Sequence, residues 1–388
     1  MVMGWAYGRV GVRRVIFAFL LCVALTAGAA MAQTTFEFRG YAKNLGLRSS
    51  SILTNEAYVL DVSRLRTRGL LTVGERLHAE AWLDTELLLG SFLKTPEFVL
   101  GQSLARSTFL DLDWTIADGS EYVLRQHLFR VFATLYVGQA QVTVGRQRIA
   151  WGTGFAWNPT DLLNPFNPGA IELNEKSGVD AVYLRIPLGT FSSVEAVVAP
   201  GRQQRTGSAA LRAGTNWREY DVSVMGGLFR EDWVLGGDFA GYVGNAGLRG
   251  EAAYTWRKEG RNYLRAVLNA DYNIAGGYYV LVEAYFNGQG TRAKEEYDLE
   301  ALLSGETFNR AREYLAASVS KSITPLFNAA LYSLVNLDDR SSLVGPSLFY
   351  SLGENLELSA GTYVFVGASD TEFGAQKHIV FASLQYYF

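Results

Sequence analysis

Apolar and polar residues alternate with a period of two along most of this chain. The pattern is cleanest in 76–87, where Arg76, His78, Glu80, Trp82, Asp84 and Glu86 occupy one phase and Leu77, Ala79, Ala81, Leu83, Thr85 and Leu87 the other. A period of two is the mark of a β-strand with two unlike faces. Segments of this kind are predicted at 35–47, 58–73, 76–87, 122–137, 140–150, 179–187, 190–199, 207–217, 219–230, 233–242, 245–257, 262–272, 278–288, 312–323, 326–336, 342–352, 354–366 and 376–388. That gives about eighteen strands, or sixteen if boundaries slip. The connections alternate in length. Those at 89–121, 151–178, 200–206, 289–311 and 367–375 are long and fall on one side. Those at Gly74, Gly138-Gln139, Leu188-Gly189, Ala275-Gly276, Thr324-Pro325 and Gly353 are tight and fall on the other. Within the fourth long connection, 293–303 reads as a short helix.

Two architectures alternate equally well. A soluble sandwich buries one face of each strand, whereas a transmembrane barrel turns one face to lipid and the other to a wet lumen. The two ends of the chain favour the barrel. Met1 to Ala32 reads as a secretory signal: Arg9, Arg13 and Arg14 precede the apolar run 15–25, and Ala30-Met31-Ala32 is a small-x-small cleavage site. The expected domains are therefore a signal peptide over 1–32 and a barrel over 33–388. At the other end, Val380, Ala382, Leu384, Tyr386 and Phe388 alternate with Phe381, Ser383, Gln385 and Tyr387. This ending resembles the closing strand of bacterial outer-membrane β-barrels. The resemblance implies recognition of Phe388 by the barrel-assembly machinery, and a Gram-negative outer membrane with its lipid and lipopolysaccharide as surroundings.

Composition narrows the classes further. The chain is 49% hydrophobic, yet no second long apolar run exists; Gly, Tyr and Phe are frequent and Pro is scarce. The one cysteine, Cys22, lies inside the signal, so the mature chain is expected to hold no disulfide, no thiolate metal site and no thiol nucleophile. Net charge is −3, and three arginines and no acid leave with the signal. This balance argues against nucleic acid as a partner. His78, His127 and His378 lie in separate strands with no metal spacing and no nucleophile motif. Neither an enzyme, a metal nor a cofactor is expected. A sheet in lipid must close to leave no unpaired edge, so the predicted fold is an all-β, closed antiparallel transmembrane barrel.

Candidate chemistry lies on the wet face. The phases turn Arg64, Arg66, Arg68, Arg130, Arg185, Arg212, Arg249 and Arg265 inward, with Glu80, Asp84, Glu86, Glu251, Asp271 and Glu283. Such a ladder creates a transverse field that favours anionic or polar solutes, or neutralises itself in lumenal salt bridges. At 144–154 the outward phase carried by Val142 and Val144 passes to Ile149 and Trp151, as at a bulge near Gly145, which predicts that Arg146 and Arg148 point into the lumen. Gly145-Arg146-Gln147, running into Gly152 and Gly154, resembles porin-type barrels, including the alginate-export-like family. The resemblance implies an outer-membrane channel. Loop 151–178, stiffened by Pro159, Pro165 and Pro168, either folds inward as a constriction lined by Arg146, Arg148 and Asp161 or caps the barrel from outside. The leading function is passive diffusion of small polar or anionic solutes. Export or assembly of a surface polysaccharide and a non-conducting anchoring or adhesive barrel are the alternatives.

Overall fold

The computed structural model describes residues 34–103, 108–164, 168–172, 178–201, 207–297 and 309–388. The signal reading of 1–32 lies outside them. The strands are β1 (Thr34–Ser50), β2 (Ala57–Val73), β3 (Leu77–Leu89), β4 (Asp113–Asp118), β5 (Tyr122–Val137), β6 (Ala140–Gln147), β7 (Val179–Pro187), β8 (Ser193–Ala199), β9 (Ser208–Trp217), β10 (Tyr220–Phe229), β11 (Asp232–Val243), β12 (Ala246–Trp256), β13 (Tyr263–Ile274), β14 (Tyr278–Asn287), β15 (Glu313–Thr324), β16 (Phe327–Asn336), β17 (Ser341–Gly353), β18 (Leu356–Val366) and β19 (Ile379–Tyr387).

Each stave pairs antiparallel with its neighbours in sequence, and β1 pairs with β19 to close a barrel of 18 strands. Closure runs from Tyr41 opposite Tyr387 to Arg48 opposite Val380, and Gly40 and Phe388 exchange backbone hydrogen bonds of 2.9 and 3.0 Å. The terminal aromatic residue is thereby locked against the first strand. The nineteenth strand, β4, is not a stave. It pairs only with Val123–His127 of β5, beyond the point where β6 takes over at Val131, and so satisfies backbone groups that β6 is too short to reach. The long connection holding it also contains a 3-10 turn, Ser91–Lys94, and helix α1, Pro96–Ser103; none of these three was legible in the alternation. In the fourth long connection, a 3-10 turn at Lys294–Glu296 stands between extended Ala293 and Tyr297 within the expected helix 293–303, of which 298–303 lies outside the described residues.

The outer face is apolar around most of the circumference. Val144, Val182, Leu211, Val224, Leu235, Leu268 and Val282 stand exposed on it, as a lipid-facing belt requires. Tyr254, Trp256 and Tyr386 also face outward near strand ends, the placement of an interfacial aromatic girdle.

The phase slip does occur, but one strand earlier than the sequence suggests. The register of β6 runs unbroken from Ala140 to Gln147. In β5, Trp82 opposes Arg130 and Leu83 opposes Leu128, leaving Phe129 as the extra residue of a bulge. Gly145 bends locally (φ 123°), and a Cβ there would sit 2.3 Å from the Val131 carbonyl oxygen. The glycine therefore permits close strand approach without changing phase.

Candidate pore and constriction

The inner wall of β2, β3 and β5 carries an interlocked charge ladder. Strand alternation places Arg64, Arg66 and Arg68 inward at successive levels, opposite Glu86, Asp84 and Trp82. Arg66 grips Asp84 with two bonds of 2.6 and 2.5 Å. Arg64 Nε meets Glu86 at 2.7 Å, and Arg125 of β5 meets the same carboxylate at 2.6 Å. Arg68 pairs with Glu80 at 2.9 Å, which also accepts from Trp82 Nε1 at 2.8 Å. Flat rings lie between the cations. The Arg66 guanidinium is 3.9 Å from the Phe129 centroid; Arg68 and Arg130 lie over Trp82 at 4.9 and 4.5 Å. Such contacts hold planar cations without neutralising them.

Exposure sorts this ladder into two kinds of residue. The Arg66 and Arg64 side chains are 4% and 13% exposed, whereas those of Arg68 and Arg125 are 34% and 36% exposed. The first two are clamps of the wall, and the last two face open lumen. Asp84, Glu86 and His127 bring three potential metal-ligand atoms within 4.8 Å, but the carboxylates already accept from Arg64, Arg66 and Arg125. The group is an ion-pair network rather than a cation cage. The histidines serve apart: His78 at Glu80, His127 at Asp84, and His378 accepting from the Phe365 N–H.

The connection between β6 and β7 turns inward. Trp151 Nε1 donates to Glu195 of β8 at 2.8 Å. Glu251 of β12 accepts from the Thr153 N–H at 2.8 Å, the Thr160 N–H at 2.6 Å and the Thr160 hydroxyl at 2.9 Å. Glu283 of β14 accepts from the N–H groups of Phe155, Ala156 and Trp157 at 2.5, 2.8 and 3.0 Å. The Trp157 ring stacks on Tyr285 (4.9 Å, 13°), and its Nε1 reaches Asn309 at 2.7 Å. Further along, Tyr332 of β16 donates to Pro168 O and Tyr363 of β18 to Ala170 O. Glu172 then meets Lys43 of β1 at 2.8 Å and Arg64 of β2 at 3.0 Å. The described residues of this loop thus visit β8, β12, β14, β16, β18, β1 and β2 in strand order. They line the inner circumference and leave β3 and β5 uncovered by these contacts. Burial would raise the Glu172 carboxyl, but Arg64 and Lys43 outweigh it and hold it below the ordinary carboxylate range.

The expected site residues divide accordingly. Arg64, Arg66, Arg68, Glu80, Asp84 and Arg130 converge on one wall. Arg185 is lumenal on β7, in register with Glu195. Arg146, expected in the lumen, does not face it. It pairs in register with Val131 and Asp180, on the outward phase shared by Val144 and Val182. There it is buried against Asp180 at 2.9 Å and donates to Leu110 O at 2.6 Å, under the segment that leads into β4. Arg148 is exposed between buried Gln147 and Ile149, so it alternates away from them. Ile149 and Trp151 join Ala181, Val197 and Met225 in a buried lumenal cluster. Asp161 lies in the inward loop at 2% exposure, packed away from open space. Phe129 would share the outward phase of Val131 and Val137 by strict alternation, and is lumenal because of the bulge. Glu251 and Glu283 had a legible inward phase but no legible role, since backbone donors leave no mark in a sequence.

No protein-family model matches the chain, and no curated protein sequence is significantly similar to it. Solved structures do resemble its fold. The outer membrane protein OpdK from Pseudomonas aeruginosa superposes with a TM-score of 0.57 at 10% identity, covering 91% of this chain and 98% of that one. A structure of OpdK with vanillate gives 0.56 at 11% identity, over 91% and 98%. Acinetobacter baumannii OccAB4 gives 0.55 at 9% identity, over 92% and 99%. At this identity the likeness concerns the fold: a closed 18-stranded outer-membrane-type barrel.

Proposed function

We propose that this protein is an outer-membrane channel for passive diffusion of small polar or anionic solutes, exported through a cleaved segment 1–32. The inward loop narrows the lumen, and solutes pass along the arginine-bearing wall of β2, β3 and β5. The observation that carries this reading is the pairing of two features of the lumen: a loop bound round the inner wall, and accessible guanidinium groups on the wall of β2, β3 and β5. Cations lining a narrow aqueous path select by field and by hydrogen bonding. Arg68 and Arg130 over Trp82 offer a small carboxylate both charge and a flat surface. Vanillate, a small aromatic carboxylate seen with OpdK, belongs to that class of solute. Passage of a surface polysaccharide has no separate observation in its favour, and a non-conducting barrel is separated by experiment.

The test is flux into proteoliposomes. Benzoate is expected to enter several-fold faster than a neutral sugar of similar mass, and Arg68→Gln with Arg125→Gln should remove most of that preference. Equal flux with and without protein would contradict the reading.

A further inference from the structure

The outer wall is not oily all the way round. The outward phase of β1 and β2 carries Asn44, Asp61 and Ser63, which alternate with the lumenal Lys43 and Arg64. Asn44 Nδ2 donates to both Asp61 oxygens at 2.9 Å and to Ser63 Oγ at 3.0 Å. In register, Asn44 lies beside Leu384, an exposed residue of the apolar belt. These groups therefore stand within the belt. On the next staves, Gln126 donates to Thr85 at 2.9 Å on the same face. A groove of about 460 Å³ lined by Ala42, Asn44, Ser63, Thr85 and Leu384 crosses this face. The contrast is the opposite wall. There the outward phases of β12, β13 and β14 carry only Gly, Ala, Val, Leu, Ile and aromatic residues.

We propose that the outer wall of β1, β2, β3 and β5 is a self-association surface, covered in the membrane by a second copy of this chain. Acyl chains offer no hydrogen bonds at this depth, so lipid leaves a carboxylate and four amide or hydroxyl groups poorly solvated. Protein–protein contacts within membranes favour polar side chains beside small ones, and Ala42 and Gly46 flank Asn44 on its face. A second copy fits for two reasons. The bilayer fixes both chains at one depth, so like polar bands meet level with each other. The wall is also self-complementary in charge: Arg48, outward and exposed on β1, makes no ion pair with any described residue and stands near Asp61 on the same wall. A closed symmetric pair or ring brings such groups together across its axis.

The experiment is oxidative cross-linking in intact outer membranes. Ser63→Cys, Thr85→Cys and, on the opposite wall, Leu268→Cys are made singly in a Cys22→Ser background. Heat-modifiable gel migration confirms folding, and conductance of the same preparations keeps the channel reading separate. A covalent species of twice the monomer mass is expected from Ser63→Cys and Thr85→Cys, at least five-fold stronger than from Leu268→Cys. No adduct from either β2 or β3, equal adducts from both walls, or an adduct of another mass would overturn the proposal, the last by naming a different partner.

Discussion

At the scale of single residues, the arginines of the inner wall are not equivalent. Arg66 is enclosed by Asp84 and the Phe129 ring. Arg66→Ala leaves the Asp84 carboxylate without its main partner, a change that costs about 3–5 kcal/mol where the charge is enclosed. It is expected to lower the unfolding midpoint of the barrel in urea, and an unchanged midpoint would count against the clamp. Arg68 is a third exposed and its partner Glu80 keeps His78 and Trp82, so Arg68→Gln should lower the midpoint less than Arg66→Ala does while moving ion selectivity toward cations. Arg146→Glu discriminates between sequence and structure. Its position on the outward phase predicts no shift in reversal potential, together with lost stability from an unpaired Asp180. Sequence alternation misassigned Arg146 because it had to guess where the phase breaks. The bulge at Phe129 has no glycine or proline to announce it, whereas Gly145 looks like a break and is only a tight approach.

At the scale of elements, the inward loop is held by acceptors on the far wall. Glu283 receives three backbone N–H donors, and hydrogen bonds to a charged group contribute about 1.5–3 kcal/mol each. Glu283→Ala should free 155–157, raise single-channel conductance and increase open-channel noise while the barrel itself stays folded. Unaltered conductance with an intact barrel would contradict the latch. Gly152, at φ 96° and with its Cβ position 2.6 Å from Glu251 Oε2, allows the chain to enter the lumen there; no larger residue fits without displacing Glu251. The far end of the loop is tied by Glu172, whose carboxyl Arg64 and Lys43 hold below its ordinary value. A lowered folded-state value means that this tie is fully present above the ordinary carboxylate range near 4.5 and is lost as pH falls through the lowered value. Conductance noise is accordingly expected to rise on acidification below that range, and Glu172→Gln should show the same noise at neutral pH. The staves were legible because each alternates strictly, and the long and short connections fell on the expected sides. Strand β4 and helix α1 were not, since Asp113–Asp118 is short and hydrogen-bonded on one edge only.

At the scale of the whole molecule, a closed wall with a wet interior follows from the hydrogen-bond demand of the backbone. Each stave needs two neighbours, and the junction of Gly40 with Phe388 supplies the last. The amount of lumenal charge was also legible, but its partition was not. Most of the ladder is paired, as the neutralisation alternative required, and its accessible part is Arg68 and Arg125, each a third exposed though paired with Glu80 and Glu86, together with Arg130 over Trp82. Which of these cations faces water depends on the route of the loop, and that route is set by backbone-to-carboxylate contacts across 91–128 residues of sequence. Selective conduction therefore depends on a narrow, positively lined lumen. Reversal potential across a planar bilayer with a tenfold KCl gradient tests this most directly. Discrete single channels reversing on the chloride side, and moving toward the potassium side in Arg68→Gln, are the predicted result. A protein that inserts as a folded barrel yet never conducts, or that conducts with potassium preferred, would contradict it.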